Sequence, residues 1–101
     1  MNQDSAVFIV VPAFNEAASI GATLNQLSTT GHQIVVVDDG STDATPSILS
    51  RFTQIHRLRH PINLGQGAAL QTGMTYALEQ GAGYIVHFDA DGQHRAADIE
   101  R

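Results

Sequence analysis

The sequence predicts a three-layer α/β/α fold, in which helices cover both faces of a mostly parallel β-sheet. Two short runs, 7–11 and 34–37, are hydrophobic without alternation, which is typical of strands buried on both faces, and two further runs at 55–60 and 84–88 also predict strands. Segments with apolar residues at helical spacing separate these runs. The loops between them are short, as expected for right-handed crossovers that return to the same sheet.

The first half of the chain predicts two strands, each followed by a helix. The first strand covers 7–11, and the helix after it covers 16–28 and ends before Gly31. The second strand covers 34–37 and runs directly into an acidic turn. Thr45 and the polar residues just before it are suitable N-caps for the second helix.

The second half predicts a weaker strand over 55–60, a third helix after the glycine loop 63–67, and a strand over 84–88. The apolar face of the third helix is predicted to comprise Leu70, Met74, Ala77 and Leu78. Gly73 weakens this helix by about 1 kcal/mol relative to Ala, so we expect close packing against a neighbour there. A further helix is predicted to begin at Arg95.

Length and composition narrow the class of protein. The 101 residues predict one domain with a modest core. Ten acidic residues against five arginines give a net charge of −5, which argues against binding to nucleic acid or to an anionic membrane surface. The absence of cysteine excludes disulfides, thiolate metal sites and thiol catalysis. No apolar run approaches the roughly 20 residues of a membrane span, and we expect a cytoplasmic protein.

Acidic residues concentrate where the predicted strands end, at the edge of the sheet where such folds bind ligands. Five of the ten acids lie in two of these turns, namely Asp38, Asp39, Asp43, Asp89 and Asp91. Two carboxylates about 4 Å apart repel by roughly 4 kcal/mol at an effective dielectric of 20, and a divalent cation removes that repulsion. The spacing of Asp89 and Asp91 therefore suits Mg²⁺ or Mn²⁺, but it also suits two turn-forming acids.

The adjacent acids Asp38 and Asp39 have two open interpretations. One of them can be a structural acid that stabilises the turn, while the other accepts a hydrogen bond from an N–H group of a ligand. The residue types alone do not say which acid has which role. The histidines show no ligand spacing, so His32, His56, His60 and His87 are predicted to be structural.

Four motifs occur along the chain in a fixed order: VPAFNE at 11–16, VDDGSTD at 37–43, NLGQGAA at 63–69 and DADGQH at 89–94. Together they resemble the N-terminal half of a family 2 glycosyltransferase with the Rossmann-like GT-A fold. The most similar subgroup is that of the polyprenyl-phosphate sugar transferases. The resemblance extends over nearly the whole chain, from Val7 onward.

The resemblance implies a nucleoside-diphosphate sugar of the UDP or GDP type as donor, a polyprenyl phosphate as one acceptor, and Mg²⁺ or Mn²⁺ as cofactor. It assigns donor binding to Pro12, Phe14, Glu16, Val37, Asp39, Asp89 and Ala90. Among these, Asp39 would accept a hydrogen bond from the base. The D-x-D motif implies Asp91 as the main metal ligand, with Asp89 and Gln93 as further contacts to the metal or ribose.

The sequence departs from the family pattern at two positions, and part of the pattern is not in this chain. Phe14 replaces a frequent tyrosine, and Gln66 replaces a frequent lysine or arginine. The family's catalytic base and acceptor region are expected beyond Arg101. We therefore expect a truncated donor-binding domain over 1–101 that transfers no sugar alone and self-associates through exposed sheet edges. The full-length protein would then work at the cytoplasmic face of a membrane.

Two alternatives to a glycosyltransferase remain at this point. The first is a nucleotide-binding module without catalysis. The second is a haloacid-dehalogenase-like phosphatase, in which Asp89 would be the nucleophile and Asp91 the acid–base group. The D-x-D-G motif of that class normally follows the first strand and continues with threonine at the position of Gln93.

Overall fold

The computed structural model describes residues 6–90, which form a parallel four-stranded sheet with helices on both faces. The strands are β1 (Val7–Ala13), β2 (Gln33–Asp39), β3 (His56–His60) and β4 (Tyr84–His87). The helices are α1 (Ile20–Ser28), α2 (Thr45–Leu49) and α3 (Gln66–Glu79). The predicted three-layer fold is confirmed. The helix predicted from Arg95 lies outside the described residues.

β1 occupies the centre of the sheet, whose strand order is β3-β2-β1-β4. It pairs with β2 from Phe8 to Ala13, but with β4 only from Val7 to Val10. The ladder on the β4 side has therefore ended before Pro12, whose nitrogen has no hydrogen to donate. β1 consequently continues through Pro12 to Ala13, beyond the predicted strand end.

Both faces of the sheet are covered by helices. Against α1 and α2 the strands bury Ile9, Val11, Ala13, Ile34 and Val36, and these meet Ile20, Leu24, Leu27 and Leu49 of the helices. Against α3 they bury Phe8, Val10, Val35 and Val37, and these meet Ala69 and Ala77. Continuous hydrophobicity in β1 and β2 follows from this arrangement, because successive residues enter two different cores.

The apolar face predicted for α3 was wrong in part. Met74 and Leu78 are 40% and 64% exposed, and the helix buries a row of small residues, Ala69, Gly73 and Ala77. A Cβ atom added at Gly73 would overlap Cγ1 of Val10 and lie 3.1 Å from Cγ2 of Val37. The close packing predicted at Gly73 is thus confirmed, and it sets how near α3 lies to the sheet.

α1 begins at Ile20, four residues after the predicted start at Glu16. The backbone N–H of Glu16 donates to Oγ1 of Thr45, and that of Ala17 donates to Oδ2 of Asp43. Asp43 of the turn after β2 and Thr45 at the start of α2 therefore hold the segment before α1 in place. Within residues 6–90, no helix combines the length and apolar character needed to cross a membrane.

Candidate functional site

A cleft with a volume of about 150 Å³ opens at the carboxyl edge of the sheet. Its walls are formed by Pro12, Ala13, Phe14, Glu16, Asp39, Gln66, Ala69, Asp89 and Ala90. These residues come from the ends of β1, β2 and β4 and from the first turn of α3. The structure thus brings together six residues assigned to donor binding by resemblance: Pro12, Phe14, Glu16, Asp39, Asp89 and Ala90.

Val37 is the assigned donor-binding residue that does not reach this cleft. It is fully buried between β2 and α3, where it packs beneath Gly73. Val37 and Asp39 point to the same face of the sheet, because side chains alternate along a strand. α3 packs over Val37, whereas Asp39 lies at the strand end and borders the cleft. Val37 therefore forms no wall of the cleft, and its assignment to donor binding stays a prediction.

The turns after β1 and β2 are joined through Asn15, the only non-glycine residue in 6–90 with a positive φ angle (53°). Its Oδ1 accepts hydrogen bonds from the backbone N–H groups of Thr42 (2.8 Å) and Asp43 (3.3 Å). Its own backbone N–H donates to Oγ of Ser41 (3.0 Å). Asparagine tolerates the left-handed conformation better than most residues, so it can form this link at low strain. The link fixes Phe14 and Glu16 at the mouth of the cleft.

Asp38 is the structural acid of the adjacent pair. Its Oδ1 accepts from the backbone N–H of Ser41 (3.0 Å), and its Oδ2 pairs with the guanidinium of Arg59 (2.5 Å). The Asp38 side chain is buried, whereas Arg59 is half exposed at the edge of the sheet. Asp38 does not line the cleft, so it anchors the turn from the opposite face.

Asp39 lines the cleft and is only 2% exposed. Its carboxylate accepts hydrogen bonds from four donors. Oδ1 accepts from Nδ1 of His60 (2.8 Å) and from the backbone N–H of Leu64 (2.9 Å). Oδ2 accepts from the backbone N–H of Gly65 (2.9 Å) and from Nδ2 of Asn63 (3.1 Å). Burial by itself would raise the pKa of Asp39, but these bonds from His60, Leu64 and Gly65 outweigh it and lower the pKa. The carboxylate is therefore ionised at neutral pH.

The fourth strand end is fixed against α1. The carbonyl oxygen of Ala90 accepts hydrogen bonds from Oγ of Ser19 (2.6 Å) and Oγ1 of Thr23 (3.4 Å). The neighbouring Asp89 is half-buried in the cleft, and its Oδ1 accepts from Nε2 of Gln66 (3.3 Å). Asp89 thus presents a carboxylate to the cleft from a turn whose backbone is held in place.

The predicted metal ligands Asp91 and Gln93 lie outside the described residues. Within 6–90, no three His, Asp or Glu side chains are grouped closely enough to hold a metal ion. Asp89 and Glu16 both line the cleft and offer carboxylate oxygens, which are the donors that Mg²⁺ and Mn²⁺ prefer. The donor chemistry of the cleft therefore fits such a cation.

Sequence reasoning missed two residues of this region. Gln66 lines the cleft and contacts Asp89, whereas the sequence marked it only as a substitution for a basic residue. His60 was predicted to be structural, yet it contacts a carboxylate of the cleft. Its register partner on β2 is Asp39, and a parallel register of this kind is not readable from the sequence.

Comparisons with known proteins agree with the geometry. Residues 8–101 match the model of the family described as glycosyl transferase family 2. An uncharacterized protein of Methanocaldococcus jannaschii is 48% identical over 100% of the chain and 41% of its own length. The UDP-N-acetylglucosamine–dolichyl-phosphate N-acetylglucosaminyltransferase of Methanococcus voltae is 33% identical over 97% of the chain and 46% of its own length. The polyprenol monophosphomannose synthase of Mycolicibacterium smegmatis is 28% identical over 92% of the chain and 38% of its own length. The chain thus spans less than half the length of these curated relatives.

Proposed function

Because the chain belongs to glycosyl transferase family 2, we propose that it binds a nucleoside-diphosphate sugar and supplies the donor site of a glycosyltransferase. The observation that carries this proposal is the cleft at the carboxyl edge, where six residues from three separate motifs meet. In the proposed reaction an acceptor oxygen attacks the anomeric carbon of the sugar. The bond to the diphosphate breaks, and its electron pair leaves with the diphosphate.

The proposed acceptor is a polyprenyl phosphate. Two relatives carry names that specify dolichyl phosphate or polyprenol as the partner of the sugar, and they match the chain over nearly all its length. Transfer to such a lipid takes place at a membrane surface, so the proposal includes a site of action at the cytoplasmic face. The family match also leaves no support for the phosphatase alternative.

Asp39 is proposed to recognise the base of the donor. Uracil and guanine each present a ring N–H to an acceptor, whereas the ring nitrogens of adenine on that edge are themselves acceptors. The Asn63 side chain is the most readily exchanged of the four donors to Asp39, because Asn63 is exposed and its contact is the longest, at 3.1 Å. A base N–H can take the place of this amide without disturbing the two backbone donors. UDP and GDP are therefore expected to bind better than ADP.

Mg²⁺ or Mn²⁺ is proposed as the cofactor, held mainly by Asp91 with help from Asp89 and Gln93. The half-buried Asp89 carboxylate supports this, because a chain of net charge −5 without lysine has few groups to balance a diphosphate. When bound, the cation offsets the negative charge that develops on the departing diphosphate. Gln66 orients Asp89 towards the cleft from the first turn of α3.

Calorimetric titration tests both assignments. UDP, GDP and ADP are added in the presence of MnCl₂, and the titrations are repeated with excess EDTA. We expect UDP or GDP to bind at least about tenfold more tightly than ADP, and Asp39→Asn to remove most of this preference. EDTA and Asp91→Ala should each abolish binding, while the matched control Asp98→Ala retains it. Equal affinities for the three nucleotides contradict the role of Asp39, and affinities that EDTA leaves unchanged contradict the metal assignment.

A further inference from the structure

A chain of hydrogen bonds connects the cleft to the body of α3. Nδ1 of His60 lies 2.8 Å from Oδ1 of Asp39, and Nε2 of the same ring lies 2.8 Å from Oγ1 of Thr72. The three side chains come from β2, β3 and α3. The side chains of His60 and Asp39 are 12% and 3% exposed, so little solvent competes for these bonds.

The chemistry of the carboxylate assigns the proton positions. Since Asp39 is ionised, both its oxygens act only as acceptors, and Nδ1 of His60 must carry the hydrogen between them. In a neutral ring Nε2 is then the acceptor, and the hydroxyl of Thr72 donates to it. Asp39 thus fixes the tautomer of His60, and the bond from Thr72 fixes the orientation of its ring.

We propose that His60 is a positioning residue of the donor cleft, with Thr72 as the group that orients it. His60 does not line the cleft, so it acts through Asp39. Its bond to Oδ1 holds the carboxylate in the orientation that also receives the amides of Leu64 and Gly65. This inference rests on the proposed function, because it assumes that Asp39 meets a ligand.

The loop after β3 depends on the same arrangement. Leu64 and Gly65 lie immediately before α3, and their amides reach Asp39 only if the carboxylate keeps its rotamer. A rotated carboxylate would release the loop and move the first turn of α3, which carries Gln66 of the cleft wall. His60 thereby fixes two walls of the cleft through one hydrogen bond.

Three threonine variants separate this role from a merely structural one. Thr72→Val removes the hydroxyl at nearly constant volume, and Thr72→Ser restores it. Thr75→Val is the matched control, because Thr75 lies on the same helix but is exposed, and its Oγ1 accepts a hydrogen bond from Nε2 of Gln71 (3.1 Å). Unfolding by urea, recorded for each variant, identifies any general loss of stability.

The first measurement uses NMR spectra of the protein without ligand. We expect His60 to be the Nδ1–H tautomer in the wild type and in Thr72→Val, and Thr72→Val to shift the ring signals of His60 and the amide signals of Leu64 and Gly65. Thr72→Ser and Thr75→Val should leave these signals at their wild-type positions. An Nε2–H tautomer in the wild type, or unmoved amide signals in Thr72→Val, overturns the proposal.

The second measurement is the affinity for UDP and GDP in MnCl₂. Thr72→Val should weaken binding about five- to tenfold, the range expected for the loss of one buried hydrogen bond, and Thr72→Ser should restore it. Unchanged affinity in Thr72→Val overturns the positioning role. A wild-type protein that binds neither nucleotide overturns the proposed function instead, and the NMR spectra then decide the arrangement of His60 independently.

Discussion

On the α1 and α2 side of the sheet, long aliphatic side chains from the helices fill the space above the strands, whereas on the α3 side alanine and glycine do so. The first side relies on residues such as Leu24 and Leu27, which are fully buried. The second relies on Gly73, where no room exists for even a Cβ atom. One face is thus stabilised by the volume it buries, and the other by the closeness of helix and sheet.

The two faces also differ at the carboxyl edge. Asp38 points to the α1 and α2 side and pairs with Arg59, whose side chain is 48% exposed. Asp39 points to the α3 side and meets His60 and the loop before α3. Because α3 lies so near the strands, Thr72 can reach the ring of His60. The residues that hold Asp39 in the cleft therefore lie on the close-packed face, and Asp38 anchors the same turn from the other face.

Leu24→Ala should produce the largest effect on stability and defines the bulky face. Leu24 is fully buried in α1, and its truncation is expected to lower the free energy of unfolding by about 2–5 kcal/mol. The matched control is Leu78→Ala on α3, where the side chain is 64% exposed. Urea denaturation should show a change within about 0.5 kcal/mol for this control. Equal losses in the two variants contradict the assignment of buried faces.

Gly73→Ala tests the close-packed face. The added Cβ overlaps Val10, so we expect a loss of about 3 kcal/mol, at the upper end of the usual range for overpacking. Gly67→Ala is the control in the same helix, because nothing lies within 4 Å of its Cβ position and φ is not positive. Removing the flexibility of Gly67 should stabilise the fold by about 0.5 kcal/mol. A Gly73→Ala variant as stable as wild type contradicts close packing here.

Asp39→Asn tests the polar end of the α3 face through its pH dependence. The lowered pKa of Asp39 means that the ionised carboxylate stabilises the fold above the unfolded pKa of about 3.9. This contribution is lost as the pH falls through the lower folded-state pKa. At pH 7 the variant should be less stable by about 1–2 kcal/mol, and the deficit should shrink below pH 4. Urea denaturation from pH 7 to pH 3 measures it, and a deficit independent of pH contradicts this account.

The layer order of the fold was predictable because strands that are buried on both faces, such as β1 and β2, consist of consecutive apolar residues. The buried face of α3 was not predictable, because in this helix the large apolar residues are exposed and the small ones are buried. Leu78 is large and exposed, while Gly73 is buried because the helix approaches the sheet there. Hydrophobic periodicity records which residues are apolar, but it holds no information on the distance between a helix and a sheet.

The residues of the cleft were predictable where they lie at the end of a strand or just after it, as Phe14, Asp39 and Asp89 do. Strand ends meet at one edge in any parallel sheet, so order along the chain implies closeness in space. The bond between Asp39 and His60 depends instead on the register of β2 against β3. A shift by one residue would turn His60 to the opposite face.

The central place of β1 has a consequence for how the protein is made. β1 leaves the ribosome before both strands that flank it, and its pairing with β4 must wait until Tyr84 has been synthesised. During translation one edge of an almost wholly apolar strand therefore stays uncovered. Folding that closes such long loops is slow, and an open apolar edge readily pairs with other chains. Nascent chains of this protein are thus expected to need chaperones most between the emergence of β1 and the arrival of β4.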